Sequence, residues 1–151
     1  MANKTLLLTH AFDGKFEDVY EHILNLRKFG ELHPYMKEVV ELSKVEPNSI
    51  TYEVKEETFL FGFLKIKPIY EAEVIELETQ KHIRYFSPIK GAILLNINFI
   101  FPENYSNTNF ELVERIELKG NALLIAYFAS ILKKAHWQTF ENLRKKLCTN
   151  Q

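Results

Sequence analysis

Residues 121–147 read NALLIAYFASILKKAHWQTFENLRKKL, from Asn121 to Leu147, with neither Gly nor Pro among them. Ile125, Ala129, Leu132, His136, Phe140, Leu143 and Leu147 recur at intervals of three or four. That spacing predicts one helix of roughly 25 residues, about 38 Å long at 1.5 Å per residue. Its first half is apolar almost all round, with Leu123, Leu124, Tyr127, Phe128 and Ile131 added to the stripe. Its second half is amphipathic, with Lys133, Lys134, Glu141, Arg144 and Lys145 outside. Arg144-Lys145-Lys146 stands at the helix end, where cations complement the helix dipole. The apolar half needs cover on two sides, a sheet on one and a loop or partner on the other.

Upstream, the period is mostly two. Leu6, Leu8, His10 and Phe12 share one face of a strand over Thr5–Phe12, which Asp13-Gly14 ends. Phe16, Val19, Tyr20, Ile23 and Leu24 then fall at helical spacing, and a short second helix is expected over Leu26–Leu32, limited by Gly30 and Pro34. Strands follow over Val39–Val45, from Ile50 to Lys55, and over Lys67–Leu77, His82–Ser87, Ala92–Phe101 and Asn109–Leu118. Glu46-Pro47-Asn48-Ser49 reads as a turn, and Phe59–Leu64 as a greasy loop or hairpin tip around Gly62. The order is strand, two helices, six strands, long helix. Consecutive strands joined by short turns pair antiparallel, and such a run followed by one long helix favours a sheet that curls around it. The expectation is one α+β domain over residues 1–151.

The chain has 151 residues, 46% hydrophobic and 26% charged, with a net charge of −1. No one-signed basic field is present, so nucleic acid is not an expected partner. Aromatics make up 13%, and the 12 Phe fit either a large core or an apolar pocket. The single cysteine, Cys148, cannot form a disulfide within the chain, which points to a reducing, cytoplasmic compartment. Residues 1–8 hold only three consecutive apolar positions, short of a signal peptide, and no stretch approaches the ~20 apolar residues of a membrane span. His10, His22, His33, His82 and His136 show no close ligand spacing, so no metal is expected, and no motif calls for a cofactor.

The element order from Thr5 to Leu147 resembles that of the START-like superfamily, also called SRPBCC, which includes the birch pollen allergen, polyketide cyclase/dehydrase-like proteins and lipid-transfer domains. Two stretches carry the local likeness. Phe12-Asp13-Gly14-Lys15-Phe16-Glu17-Asp18-Val19-Tyr20 matches the family's strand-to-helix pattern at Phe12, Glu17, Val19 and Tyr20, and departs at Gly14-Lys15, where Ala-Pro is usual. Leu32-His33-Pro34-Tyr35-Met36-Lys37-Glu38-Val39 is similar to the entry into the second strand. The resemblance implies a helix-grip fold: a curved seven-stranded antiparallel sheet around the C-terminal helix, two short helices between strands one and two, and a deep cavity for a lipid, isoprenoid, quinone or aromatic. It brings no universal catalytic motif with it.

Strand parity selects the candidate ligand-binding residues. His10 is the polar member of an apolar face, able to hold a ligand oxygen, to act as acid or base, or to serve as a bonded core histidine. Glu114 interrupts Phe110, Leu112, Ile116 and Leu118, so its carboxylate points inward and must be paired, protonated or wetted. Arg84 is a candidate partner if it too points inward. Tyr52 and Tyr70 each offer an apolar body with a polar tip, as cavity liners or as core. Phe128 and His136 lie on helix faces able to meet the cavity, while Asn96 and Asn98 are expected to face solvent. His33, Tyr35, Phe61 and Phe63 fall where the cavity mouth would be. Three readings stay open: a hydrophobic-ligand binder, a cyclase/dehydratase-type enzyme using His10 and Glu114, and a cavity-less interaction module. A homodimer through the apolar segments stays open with them.

Overall fold

The structure, a computed structural model, describes residues 1–45, 48–89, 93–103 and 109–149. Glu46 and Pro47 of the expected turn, and Ala92 of the expected strand, lie outside the described residues. In chain order the elements are β1 (Ala2–Asp13), α1 (Phe16–Leu24), α2 (Leu26–Leu32), β2 (Met36–Val45), β3 (Ser49–Glu56), β4 (Thr58–Leu60), β5 (Leu64–Ile66), β6 (Ile69–Glu78), β7 (His82–Ile89), β8 (Ile93–Ile100), β9 (Asn109–Gly120) and α3 (Ala122–Thr149). Seven strands form one antiparallel sheet in the order β1-β9-β8-β7-β6-β3-β2, and β4 and β5 form a separate hairpin. This is the helix-grip α+β architecture.

Alternation places the core. On β9, Phe110, Leu112, Glu114, Ile116 and Leu118 are all buried. On β8, Ile97 and Phe99 point in while Asn96 and Asn98 take the other face, where Asn98 Oδ1 lies 2.8 Å from His82 Nε2. Register shifts in β2 and β6 mark bulges, which bend a strand and raise its twist. The concave face so formed holds α3 through Ile125, Ala129, His136, Phe140, Leu143 and Leu147.

Side-chain bonds fix the ends of the helices. Asn121 Oδ1 accepts the N–H groups of Leu123 at 3.0 Å and Leu124 at 3.3 Å, capping α3. Gly14 and Lys15 are both left-handed at the β1–α1 turn, with φ of 80° and 61°. For Lys15 this costs roughly 1–2 kcal/mol, set against a 2.6 Å bond from its Nζ to the Leu147 carbonyl. Arg144 Nε donates to Ala11 O at 2.8 Å, and Asn142 Nδ2 to Leu32 O at 2.9 Å. The second half of α3 is therefore tied to β1 and α2. Its first half is less covered than the sequence calls for, since Leu123 is 83% exposed.

Gly30, inside α2, is set by close approach to β2: an added Cβ would lie 2.7 Å from Val39 Cγ2. Gly30→Ala should lower stability by about 1–3 kcal/mol despite the better helix propensity of alanine. Adding Val39→Ala should recover part of that loss. A Gly30→Ala protein that melts at or above the parent temperature would show that the contact yields freely.

Candidate functional site

Glu114 sits fully buried in the middle of β9. An unpaired carboxylate there would be strongly unfavourable. Both of its oxygens are bonded. His10, from the adjacent strand β1, places Nε2 2.9 Å from Oε1. His136, from α3, places Nδ1 against Oε2 in a short contact. Burial alone would raise the Glu114 carboxyl, but the charge on His136 and the hydrogen bonds from both imidazoles outweigh it and hold the group below the usual carboxylate range. Glu114 is thus an ionised acceptor with an imidazole donating to each oxygen.

The two histidines differ at their other nitrogens. His10 stacks on Phe140 at 3.8 Å between ring centroids and meets the edge of Trp137 at 5.0 Å. Its Nδ1 is sealed and has no partner among the described residues. An N–H at Nδ1 would be orphaned there, so hydrogen bonding places the His10 proton on Nε2, toward Glu114. With Nδ1 held by Glu114, His136 Nε2 is neither bonded to a described residue nor sealed, and its ring lines a cavity.

That cavity lies between the concave sheet face and α3, with a volume of about 130 Å³. Its walls are mainly apolar, among them Phe29, Leu95, Ile97, Leu118, Phe128 and Leu132. The polar groups on it are few. His33, at the C-terminal cap of α2, accepts the Tyr35 N–H at Nδ1 (3.1 Å), which leaves its own proton on Nε2. Burial first, then the charge on His136, pushes His33 down to about 3 against the opposing pull of Glu114, so it stays a neutral donor. Its ring lies 5.7 Å from that of His136, nearly perpendicular. Glu56 and Tyr70 also line the cavity, with the Tyr70 hydroxyl bonded to Glu56 Oε2. Burial raises the Glu56 carboxyl against the lowering effects of the Tyr70 bond and the His136 charge. Tyr85 contributes its ring, its hydroxyl being spent on the Ile23 carbonyl.

The structure sorts the residues singled out from sequence. His33, Tyr35, Tyr70, Phe128 and His136 line the cavity. His10 and Glu114 meet as expected of inward residues, yet they stand behind His136 and do not reach the cavity wall. Tyr52 is buried against the backbone of Leu26, off the cavity. Arg84 is corrected: Ile83, Tyr85 and Ser87 take the inner face of β7, so Arg84 points outward, with its guanidinium 5.4 Å from the Phe86 ring centre, and Glu114 pairs with histidines instead. The apolar Phe86 had suggested the opposite parity. Phe61 and Phe63 are on the exposed turn of the β4–β5 hairpin, 69% and 79% accessible. Phe61 rests against Tyr127 of α3, with ring centroids 5.0 Å apart and its N–H donating to the tyrosine oxygen at 2.6 Å. Glu56 was missed, although extending the alternation of Ile50, Tyr52 and Val54 by one step reaches it.

Stability should fall with acidity. His33 has a folded value below its unfolded one (~6.5), so its contribution is complete above pH ~6.5 and drains away toward about 3. Glu114, also depressed, adds to the loss below its unfolded value of 4.5. Glu56, raised, opposes both. By linkage, the His33 part amounts to roughly 3 kcal/mol at pH 4. His33→Asn, whose amide oxygen can still accept the Tyr35 N–H, should flatten the melting temperature between pH 6.5 and 4. An unchanged slope would mean His33 is already solvated.

No family model matches the sequence, and no curated protein matches it. Solved structures match the fold. Zhui aromatase/cyclase from Streptomyces sp. R1128 aligns with a TM-score of 0.77 at 8% identity, over 96% of this chain and 93% of that one. Ara h 8.0201 aligns with a TM-score of 0.73 at 8% identity, over 98% and 99%. The di-domain ARO/CYC StfQ, from the steffimycin biosynthetic pathway, aligns with a TM-score of 0.69 at 13% identity over 93% of this chain, which spans 50% of that protein's length. At these identities the likeness is one of fold, and the shared fold is the helix grip.

Proposed function

We propose that this protein binds a small, largely apolar molecule carrying one or two oxygen functions, in the cavity between the sheet and α3. The observation that carries this reading is the cavity's lining: an apolar wall on which a few polar groups gather, His33 and His136 together, with Tyr70 and Glu56. A cavity with few placed polar groups is what small-molecule sites look like. The ligand contacts are Phe128, His136, His33, Tyr35 and Tyr70. Glu114 and His10 support the site from behind.

Size narrows the class. A cavity of about 150 Å³ accepts benzene, and the volume here is about 130 Å³. A single-ring or compact isoprenoid ligand fits without rearrangement. Longer lipids, quinones or multi-ring aromatics require the β4–β5 hairpin to lift from Tyr127. An exposed free Cys148 fits a reducing, cytoplasmic setting. The cyclase/dehydratase alternative uses the same cavity, with His136 in the place first given to His10. The filled-core alternative has no use for such a cavity.

Native mass spectrometry of freshly purified protein, followed by organic extraction, tests the reading, backed by titration with substituted phenols and short-chain ketones. Stoichiometric binding of single-ring probes is expected, reduced about tenfold or more when Phe128→Trp fills the cavity. Protein that carries nothing and binds none of the probes would overturn it.

A further inference from the structure

A histidine whose Nδ1 is bonded to a buried carboxylate, and whose Nε2 opens onto an apolar cavity, is built to move protons. His136 has this arrangement: Glu114 holds Nδ1, Phe29 packs edge-on at 5.5 Å between centroids, and no described residue occupies Nε2. The carboxylate fixes the tautomer and supports the imidazolium that forms on proton uptake. His10 holds the second oxygen of Glu114 and so stops the carboxylate from turning away. On the same cavity, His33 presents Nε2–H and the Tyr70–Glu56 pair supplies further polar atoms.

We infer that His136 is a general base acting on a carbon–hydrogen bond of a bound carbonyl compound of about one-ring size, with Glu114 as its positioning residue. This rests on the binding reading above. In the step, His136 Nε2 takes a proton from the carbon next to the carbonyl. The electron pair of the broken C–H bond forms a carbon–carbon double bond, and the carbonyl π pair moves to oxygen, which accepts a hydrogen bond from a cavity donor such as His33 Nε2–H. Where the bound compound is β,γ-unsaturated, return of the proton from Nε2 to the γ carbon moves the double bond into conjugation and re-forms the carbonyl, giving the isomer. Atoms and electrons balance within the one substrate, with no co-reactant.

Nitrobenzisoxazole is a suitable probe, since it is aromatic and opened by a base alone, and its two fused rings enter when the β4–β5 hairpin lifts from Tyr127. His136 Nε2 would take its ring proton, a carbon–nitrogen triple bond would form, and the nitrogen–oxygen bond would break to a coloured cyano-nitrophenolate. The rate should exceed that of free imidazole at equal concentration and, as for any imidazole base, be carried by the unprotonated ring. The groups facing His136 are Glu114 on β9, His10 on β1, His33 after α2, and Glu56 with Tyr70 on β3 and β6. His136→Asn keeps an amide donor for Glu114 but deletes Nε2, so it should fold and lose about a hundredfold in rate at saturating probe. Glu114→Gln should move the inflection of the pH–rate profile to lower pH, which a purely structural role would not do. Probe that binds, by NMR titration, but opens no faster in the parent than with imidazole, or as fast in His136→Asn, would overturn the inference and leave the binding reading standing. Probe that does not bind would overturn the inference, and the binding reading with it where single-ring phenols fail to bind as well.

Discussion

Everything distinctive about this molecule depends on one buried carboxylate. Glu114 lies where the alternation of β9 would put an aliphatic residue, and it is tolerable there because imidazoles from two other elements reach its two oxygens. Removing a partner from such a pair costs about 3–5 kcal/mol, so the cluster specifies as much as it stabilises. It requires β1 beside β9 in one register, and α3 seated with one turn over the sheet. The register pairs Leu8 with Glu114 and His10 with Leu112, which brings the His10 ring alongside. Any slip of β1 by one residue would turn His10 to solvent and strand the carboxylate.

The same contact divides α3. Beyond His136 the helix is fastened by Phe140 and Leu143 in the core, by side-chain bonds from Asn142 and Arg144 to the backbone of α2 and β1, and by the Lys15 bond to its own Leu147 carbonyl. Before His136 it forms the roof of the cavity, with Phe128, Ile131 and Leu132 on the lining and Leu123 left in solvent. The β4–β5 hairpin touches this half through Phe61 and Tyr127. A firmly held half and a lightly covered half in one helix suit a cavity that must be rigid at its polar end and penetrable at its mouth.

Much of this was legible in the residue pattern. The stripe from Ile125 to Leu147 gave the helix and its buried face, and the parity of β9 turned Glu114 inward. The elements fell within a few residues of their expected bounds, because period two and period 3.6 are steric consequences of the backbone. The partners of Glu114 were less legible. His10 and His136 lie 104 and 22 residues from it, and only the folded register brings them together. Arg84 misled because Phe86 shares its face, and an outer-face phenylalanine under a guanidinium looks, in sequence, like a core residue. The Phe59–Leu64 segment could be read as a greasy loop or hairpin tip, and it is the tip of the β4–β5 hairpin, but its contact with Tyr127 could not be read, since a few apolar residues around a glycine do not encode what they lean on.

Glu114 holds His136 by Nδ1 and leaves its Nε2 toward the cavity. Nitrogen NMR of the imidazole side chains reads that arrangement directly. In the neutral state His136 is expected to carry its proton on Nδ1, strongly deshielded, with Nε2 unprotonated and responsive to compounds added to the cavity. The opposite tautomer, with the proton on Nε2, is expected for His10. A His136 with its proton on Nε2, or one that exchanges freely between tautomers, would contradict it.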